Sequence, residues 1–456
     1  MFVGRQYELK RLETLYESTS FECVTLQGGR RVGKTALLRE FAKSKEIIYY
    51  SAAEVCSYEN LHNFSECVSM ALGGAPKQEP QSFSEVFTRL RDTALARRLA
   101  LIIDDYHLLA ASQRDISDTI CEQITSWGKD SSLMLLISGS YEQEKGSDKQ
   151  AHRDPIMSIR TANIQLKPFT FFEQKRLYPG FSLYDVAVVY GVTGGVPGYL
   201  QYMDPQAPIE ENISKAFFDA AAPLLEEPHN ILRREVRDPA YYNSVLRAIA
   251  TGKKKNSEIA EAVGLETSAC TAYLRNLMEL GLVEKHTPVT EKAGKKTIYS
   301  VCSNMFRFWY KFVPGEMSLI MSGQSAKLWR RVADEIHAYM SGVFEDICRE
   351  WLAQQNQAGR LPARFVEIGR WWGLDPIIKQ ESMLPMLAYA DDEHAAFGDC
   401  VWSDEPAQAE ALVSLDERSR FFRYANRYLY LFSRSGFSQE CAEVAKRIGA
   451  NLVMFE

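Results

Sequence analysis

The segment GGRRVGKT, residues 28–35, constrains this chain more than any other part of its sequence. It follows the β-prone run CVTLQ and precedes the helical run ALLREFA, so the glycines fall between a strand and a helix. Glycines there let successive backbone N–H groups point at phosphate oxygens, and the N-terminus of the following helix adds partial positive charge. The pattern therefore predicts a phosphate-binding loop.

Each part of this loop has an expected role. The loop backbone is predicted to bind the phosphates of a purine nucleoside triphosphate, ATP above all, with Lys34 reaching the β and γ phosphates. The Thr35 hydroxyl is expected to hold Mg²⁺. The predicted nucleotide-binding residues of the loop are Gly28, Gly29, Arg30, Arg31, Val32, Gly33, Lys34 and Thr35. A chance glycine-rich turn is the alternative, and the flanking strand and helix argue against it.

The run LALIIDDYHLL is an apolar strand that ends in two carboxylates. A carboxylate at the C-terminal edge of such a strand can meet the metal, so Asp104 is the second candidate Mg²⁺ residue. Asp105 stands where ATPases with this loop carry a glutamate that polarises the attacking water, so Asp105 and Lys34 are candidate catalytic residues. Because aspartate is one methylene shorter, slow hydrolysis or binding without turnover is expected. Two surface aspartates at a strand end are the alternative.

A further apolar run, SLMLLISGS, ends in Ser138 and Ser140. A polar side chain at the end of that strand can sense the γ-phosphate, and Ser140 is the candidate. Ser-Gly-Ser is also a turn-forming sequence, so turn formation is an equal alternative.

Length and composition indicate a multidomain globular protein. The chain has 456 residues, more than one core usually organises, with 46% hydrophobic and 25% charged residues. The net charge of −6 restricts any nucleic-acid contact to a local basic patch. The nine cysteines form no C-x-x-C pair. No run approaches the roughly eighteen apolar residues that span a bilayer, so we expect a cytoplasmic protein that is neither secreted nor in a membrane.

Three domains are expected along the chain. In residues 1–225, short β-prone runs alternate with helices, which predicts an α/β fold with a parallel P-loop sheet and a helical lid. Residues 226–315 contain three helices and then two β-prone runs around EKAGKK, which is typical of a winged helix-turn-helix. Residues 316–456 combine a long amphipathic helix with β-prone runs, which predicts a mixed α/β domain.

Taken in order, these motifs resemble those of the archaeal-type AAA+ ATPase family, which is related to the STAND signalling ATPases. The resemblance rests on FVGRQYELKRL, GGRRVGKT, LIIDDYHLL, LISGS, IRTANIQLKPFTFFE, VTGGVPGYL, NMFRFWYKFV, GVFEDICREWL, VEIGRWWG and FGDCVW. It implies that Gly4 and Arg5 lie near the nucleotide base and that GGVPGYL belongs to the lid. It also implies that Arg160 senses the γ-phosphate of its own or a neighbouring subunit, with a surface ion pair as the alternative.

The same resemblance implies a restriction-endonuclease-like fold for the C-terminal domain. Metal-dependent cleavage there requires a helix glutamate, an aspartate on the second strand and an acid-x-Lys on the third. Glu345 fits the first position, whereas the third reads DCV at residues 399–401 and the second falls near Pro385. We therefore expect this fold without nuclease chemistry, with Asp391 or Asp392 as the alternative second acid.

The winged helix makes duplex DNA a candidate partner. The expected recognition helix has Leu274, Leu277 and Met278 in the core and Thr267, Thr271 and Arg275 facing outward. A single basic residue on the outward face gives the helix few side chains that can recognise DNA bases. Lysines that suit phosphate contacts lie in the wing and the preceding turn: Lys253, Lys254, Lys255, Lys292, Lys295 and Lys296. A packing module that does not read DNA is the alternative.

The leading hypothesis is an ATP- and Mg²⁺-dependent molecular switch that hydrolyses ATP slowly and couples nucleotide state to the winged helix and the C-terminal domain. A DNA-binding regulator with a structural nucleotide is the alternative. An ATP-dependent nuclease is disfavoured by Val401 and Pro385. Self-association or a protein partner is also compatible with the sequence, since Arg160 can act within one subunit or between two.

Overall fold

The chain folds into two compact units, Met1–Pro168 and Phe169–Glu456, which we name unit 1 and unit 2. The computed structural model describes residues 2–43, 45–74, 79–127, 131–139, 154–289, 296–374 and 379–455. Each unit has its own apolar cores, so each is described by itself.

Unit 1 is built on a parallel sheet. Its strands in the described ranges are β1 (Glu22–Gly28), β2 (Ile47–Ser51), β3 (Leu99–Asp104), β4 (Leu133–Gly139) and β5 (Ala162–Leu166). Their order is β2-β3-β4-β1-β5, and every neighbouring pair is parallel. β3 and β4 are buried along their whole length, as parallel strands covered on both faces are. The predicted parallel P-loop sheet is confirmed.

Helices cover both faces of this sheet. They are α1 (Gln6–Glu17), α2 (Lys34–Ala42), α3 (Ser57–Leu72), α4 (Phe83–Ala96), α5 (Tyr106–Ser112), α6 (Ile116–Ser126) and α7 (Ile156–Ile159). In β3, Leu101 and Ile103 pack with α3 to α6, whereas Ala100 and Ile102 pack with α1 and α2. Because side chains alternate along a strand, Asp104 at the end of β3 points to the face that α2 covers.

Unit 2 begins with helices that the sequence led us to place in the ATPase domain. They are α8 (Phe171–Lys175), α9 (Leu183–Thr193), α10 (Pro197–Leu200), α11 (Ile209–Phe217) and α12 (Glu227–Glu235). The expected domain boundary at residue 225 stays a prediction, while these helices lie in compact unit 2. The reason is burial: α9 is apolar on all sides, and Val188 and Val192 lie in one core with the helices that follow.

The predicted winged helix-turn-helix is confirmed. It consists of α13 (Ala240–Ala250), α14 (Asn256–Val263), α15 (Thr267–Glu279) and the antiparallel strands β6 (Val283–His286) and β7 (Ile298–Val301). On α15 the predicted faces are also confirmed: Leu274 and Leu277 are fully buried, Met278 is half-buried, and Thr267, Thr271 and Arg275 are exposed. Lys292 and Lys295 of the wing lie outside the described residues.

The remainder of unit 2 consists of one helix from the end of the predicted winged-helix domain and then the predicted mixed α/β domain. Its elements are α16 (Asn304–Phe312), α17 (Met317–Met321), α18 (Ser325–Gln357), β8 (Glu367–Leu374), β9 (Glu381–Tyr389), β10 (His394–Val401), α19 (Ala409–Arg420), β11 (Asn426–Ser433), α20 (Gln439–Ile448) and β12 (Asn451–Met454). The sheet order is β12-β11-β10-β9-β8, with β10, β11 and β12 parallel and the other pairs antiparallel. α18 covers one face, and α19 and α20 cover the other.

α18 is the longest helix in the described parts of the chain, with 33 residues. It buries a stripe at helical spacing, which includes Ile336, Met340, Val343 and Ile347. It also approaches α9 closely, since a β-carbon on Gly191 would lie 2.8 Å from the Met340 sulfur. No helix of the described ranges, α18 included, combines the length and apolar character needed to cross a bilayer.

Candidate nucleotide-binding site

The loop between β1 and α2 has a backbone that depends on its glycines. A β-carbon on Gly28 would lie 2.6 Å from the carbonyl oxygen of Leu166 in β5, so no larger residue fits there. Gly33, the N-cap of α2, has a left-handed φ of 96°, and Arg31 has a φ of 61°. Left-handed residues within a tight turn direct successive N–H groups toward one anion. The loop therefore has the geometry of a phosphate cradle.

Lys34 lies inside this loop. Its Nζ donates hydrogen bonds to the carbonyl oxygens of Gly28 at 2.7 Å and Gly29 at 3.0 Å. Only 9% of Lys34 is exposed, and a buried ammonium requires such partners because desolvation penalises its charge. As the first residue of α2, Lys34 adds its charge to the positive end of the helix dipole. Both favour binding of a phosphate.

Thr35 and Asp104, the two residues expected to hold Mg²⁺, are in contact. Thr35 Oγ1 donates to Asp104 Oδ2 at 2.8 Å, and the backbone N–H of Asp105 donates to Asp104 Oδ1 at 3.1 Å. Hydroxyl and carboxylate oxygens are ligands that Mg²⁺ prefers, and phosphate and water commonly supply the rest. No group of three or more His, Cys, Asp or Glu side chains suited to a metal occurs among the described residues. The pair fits a Mg²⁺ ion shared with a nucleotide.

Tyr49 on β2 is a site residue that the sequence did not reveal. Its hydroxyl donates to Asp104 Oδ2 at 2.7 Å. Burial, and then the hydrogen bond to Asp104, raise the pKa of Tyr49, so the phenol stays a proton donor. Tyr49 pairs with Ile102 in the sheet, which puts its side chain on the same face as Asp104. The contact depends on which residues of β2 and β3 pair, so the sequence alone does not show it.

We expect Tyr49→Phe to destabilise the protein, because it removes a hydrogen bond to a buried carboxylate. A bond to a charged group contributes about 1.5–3 kcal/mol, so the urea midpoint should fall while the slope stays the same. Tyr7→Phe is the matched control, since Tyr7 is 75% exposed on α1. Equal midpoints for the two variants would contradict the assigned role.

Asp105, the candidate for polarising water, lies at the start of α5. Its φ of 54° is left-handed, a conformation that aspartate tolerates better than most residues. Burial, followed by the negative charge of Asp104, raises the pKa of the Asp105 carboxyl. A carboxylate with increased proton affinity is better suited to general-base work near neutral pH.

Of the two serines at the end of β4, Ser140 lies outside the described residues. Ser138 lies on β4 beside Leu26 of β1, one residue beyond the last β3–β4 pair, Ile103 with Ile137. Its Oγ is buried and, within the described part of the chain, has no hydrogen-bond partner. The register thus puts the Ser138 hydroxyl next to the strand end that carries Asp104.

Gly4 and Arg5, which the family resemblance assigned to the base, are both left-handed, with φ of 75° and 63°. Arg5 is buried, and its Nη2 donates to the carbonyl oxygens of Val32 at 3.1 Å and of Lys167. Arg5 therefore links the N-terminal segment to the phosphate loop through its hydrogen bond to Val32. Contact of Gly4 and Arg5 with the base stays a prediction.

Arg160 lies far from the phosphate loop of its own subunit. β1 and β5 run parallel, with Val24 beside Ala162 and Gly28 beside Leu166. Arg160 precedes β5, so it lies at the opposite edge of the sheet, about 20 Å from the loop at roughly 3.3 Å per residue. That distance rules out the expected contact with a γ-phosphate in the same subunit. Action on a neighbouring subunit stays a prediction.

The candidate nuclease carboxylates are separated by the C-terminal sheet. Glu345 on α18 accepts from Arg370 Nη2 at 3.1 Å, whereas Asp399 on β10 accepts from Arg418 of α19. α18 and α19 pack on opposite faces of the sheet, so Glu345 and Asp399 do not face one another. The alternative acid Asp391 accepts from His394, at the other end of β10. Glu345 and Asp399 are thus each paired with an arginine, and Asp391 accepts a backbone N–H.

We expect the purified protein not to cut DNA with Mg²⁺ or Mn²⁺, because arginines neutralise Glu345 and Asp399. The measurement is cleavage of supercoiled plasmid over a range of metal concentrations. Metal-dependent cleavage that disappears in Asp399→Ala would overturn this expectation, since a contaminating nuclease would persist in the variant.

Comparison with known proteins agrees with this architecture. Residues 2–203 match the family described as an ATPase domain predominantly from Archaea. Residues 246–284 match a winged helix-turn-helix DNA-binding family, and residues 309–412 match a family of archaeal and bacterial proteins of unknown function. All three matches follow the predicted domain order.

An uncharacterised protein of Methanocaldococcus jannaschii is 27% identical over 435 residues, which cover 92% of this chain and 94% of the relative. An uncharacterised ATP-binding protein of the same organism is 43% identical over 47 residues, 10% of this chain and 80% of the relative. A Walker-type ATPase of Pyrococcus abyssi has the same fold, with a TM-score of 0.51 and 19% identity over 68% of this chain and 96% of that one. The chain thus combines a region that matches the predominantly archaeal ATPase-domain family with a region that matches a winged helix-turn-helix family and a C-terminal region that matches a family of unknown function.

Proposed function

We propose that this protein is an ATP-dependent molecular switch that binds ATP with Mg²⁺ in unit 1 and hydrolyses it slowly. The observation that carries the proposal is the convergence of three groups at one sheet edge: the buried ammonium of Lys34, and the Thr35 hydroxyl in contact with the Asp104 carboxylate. A cation in a loop of N–H groups, beside two oxygen ligands, suits a nucleoside triphosphate with its metal.

In this proposal the loop backbone and Lys34 would bind the β and γ phosphates, and Thr35 and Asp104 would hold Mg²⁺. The metal, when bound, neutralises charge on the phosphates. Asp105 would accept a proton from the attacking water. Arg5 would keep the loop in shape through its bond to the Val32 carbonyl.

The low expected rate follows from Asp105. The Asp105 side chain is one methylene shorter than that of the usual glutamate. The left-handed backbone at Asp105 also restricts the directions in which its carboxylate can point toward the water. A slow ATPase spends a long time in each nucleotide state, which lets the γ-phosphate bias a conformational equilibrium. Such behaviour is typical of a switch and not of a motor.

Equilibrium ATP binding and steady-state ATP hydrolysis, each with and without Mg²⁺, test the proposal. Micromolar binding with slow, Mg²⁺-dependent turnover would support it. Tight binding with no turnover would mean that the nucleotide is a structural ligand, and no binding of ATP or ADP would refute the proposal altogether.

A DNA-binding regulator is a second candidate, favoured by one basic surface of the winged helix. Lys253, Lys254 and Lys255 are exposed in the turn before α14. The N–H of Tyr299 in β7 donates to the Lys254 carbonyl at 2.8 Å, which holds this turn beside the wing. On α15 the Thr271 hydroxyl already bonds to Asn256 and to its own helix. The surface therefore suits phosphate contacts more than base reading.

We expect any duplex binding by this surface to be weak in sequence preference and strongly salt-dependent. Each phosphate contact contributes about −0.9 to the slope of log K against log salt. Replacing Lys253, Lys254 and Lys255 with alanine should reduce that slope by about 2 to 3, while Lys327→Ala on α18 should leave it unchanged. Binding without salt dependence would exclude this mode.

A further inference from the structure

His107 on α5 has no role in the function proposed above, yet its position requires an explanation. Within the described residues, its buried Nδ1 has no hydrogen-bond partner. Buried polar atoms are almost always paired, and an unpaired one in a native protein points to a ligand or a functional state that supplies the partner. His107 is two residues beyond Asp105, in the first turn of the same helix.

The charged groups that act on His107 are those of the nucleotide site. They are Asp105 first, and then Arg30, Lys34 and Asp104. Burial lowers the pKa of the imidazole, so the ring is neutral at pH 7 and carries one N–H donor. A neutral donor can bond to a carboxylate without cancelling its charge.

Other unpaired atoms lie at the same edge of the sheet. Gln27 Nε2 and Ser138 Oγ are also buried without a partner in the described part of the chain. Both residues come just before the C-terminal ends of their strands, β1 and β4, where the phosphate loop begins. Similar atoms occur elsewhere in the described chain, but these three lie at the sheet edge where a ligand is proposed, which is consistent with a functional role for His107.

We propose that His107 is a positioning residue for Asp105: in the nucleotide-bound site, its Nδ1–H donates a hydrogen bond to the Asp105 carboxylate and orients it toward the attacking water. The inference rests on the proposed ATPase function. The hydrogen bond would also hold the short carboxylate in one productive orientation, which lowers the entropic cost of reaching the transition state.

The chemical step that His107 assists is balanced without a change in its own protonation. The water oxygen bonds to the γ-phosphorus while the bond from that phosphorus to the bridging oxygen breaks, which forms ADP and inorganic phosphate. One water proton passes to the Asp105 carboxylate and the other stays on the phosphate. His107 keeps its proton throughout.

The test compares single-turnover ATP hydrolysis and ATP affinity for wild type, His107→Leu and His107→Asn. The Asn amide N–H stands where imidazole Nδ1–H stands, whereas leucine fills the space without a donor. We expect His107→Leu to lower the hydrolysis rate at least about tenfold with ATP affinity within about twofold, and His107→Asn to restore the rate to within about threefold. Matching thermal melts for the two variants would show that both fold.

A double variant separates positioning from a structural role. If His107 acts through Asp105, His107→Leu should cause no further loss in an Asp105→Asn background. Wild-type rates in His107→Leu, equal defects in the leucine and asparagine variants, or a full further loss in the double variant would each overturn the inference while leaving the ATPase proposal intact. Absence of hydrolysis in the wild type would overturn both.

Discussion

Lys34→Ala is expected to weaken ATP binding by about 100-fold or more. The Lys34 ammonium is the buried cation of the phosphate loop, held at 2.7 and 3.0 Å from the carbonyl oxygens of Gly28 and Gly29. Its loss would remove the charge-assisted hydrogen bonds that we propose between Lys34 and two phosphates, each contributing about 1.5–3 kcal/mol. Equilibrium titration with a fluorescent ATP analogue measures the change.

Lys43→Ala is the matched control for this experiment. Lys43 follows α2, has a largely exposed side chain and pairs with Glu40 on the surface, so its loss removes the same charge without touching the loop. We expect wild-type affinity for the control and a folded circular dichroism spectrum for both variants. Unchanged affinity in Lys34→Ala would mean that the nucleotide binds elsewhere.

Asp105→Asn is expected to lower ATP turnover by about 100-fold or more while ATP affinity stays near that of wild type. General-base catalysis contributes roughly 10²–10⁴-fold, and an amide cannot accept the water proton. Asparagine tolerates the left-handed φ of 54° as aspartate does, so the start of α5 should keep its shape. The Lys34, Thr35 and Asp104 contacts are unaffected, which preserves binding.

Single-turnover hydrolysis and equilibrium binding, measured on the same preparation, check this result. Asp118→Asn on α6 makes the same chemical change at an exposed position and should behave as wild type. Turnover that survives Asp105→Asn would assign proton acceptance to another group. Loss of affinity together with turnover would instead indicate that Asp105 supports the Mg²⁺ site.

The sequence by itself determined the parts of this protein that depend on local chemistry. A strand, a glycine-rich turn and a helix are encoded within a few consecutive residues, so the loop around Lys34 and its flanks were predictable. Asp104 was predictable because the C-terminal ends of parallel strands share one edge. The buried and exposed faces of α15 followed from helical periodicity, with Leu274 and Leu277 in the core.

The tertiary structure alone decided the contacts that depend on register and burial between distant segments. Tyr49 reaches Asp104 across neighbouring strands, and Arg160 is excluded from its own phosphate loop because parallel pairing puts the start of β5 at the far edge. Helix α9 joins unit 2 because its apolar surface is buried there. Glu345 and Asp399 pack on opposite faces of one sheet. Strand order, register and which face a helix covers arise from long-range packing, which motif spacing does not encode.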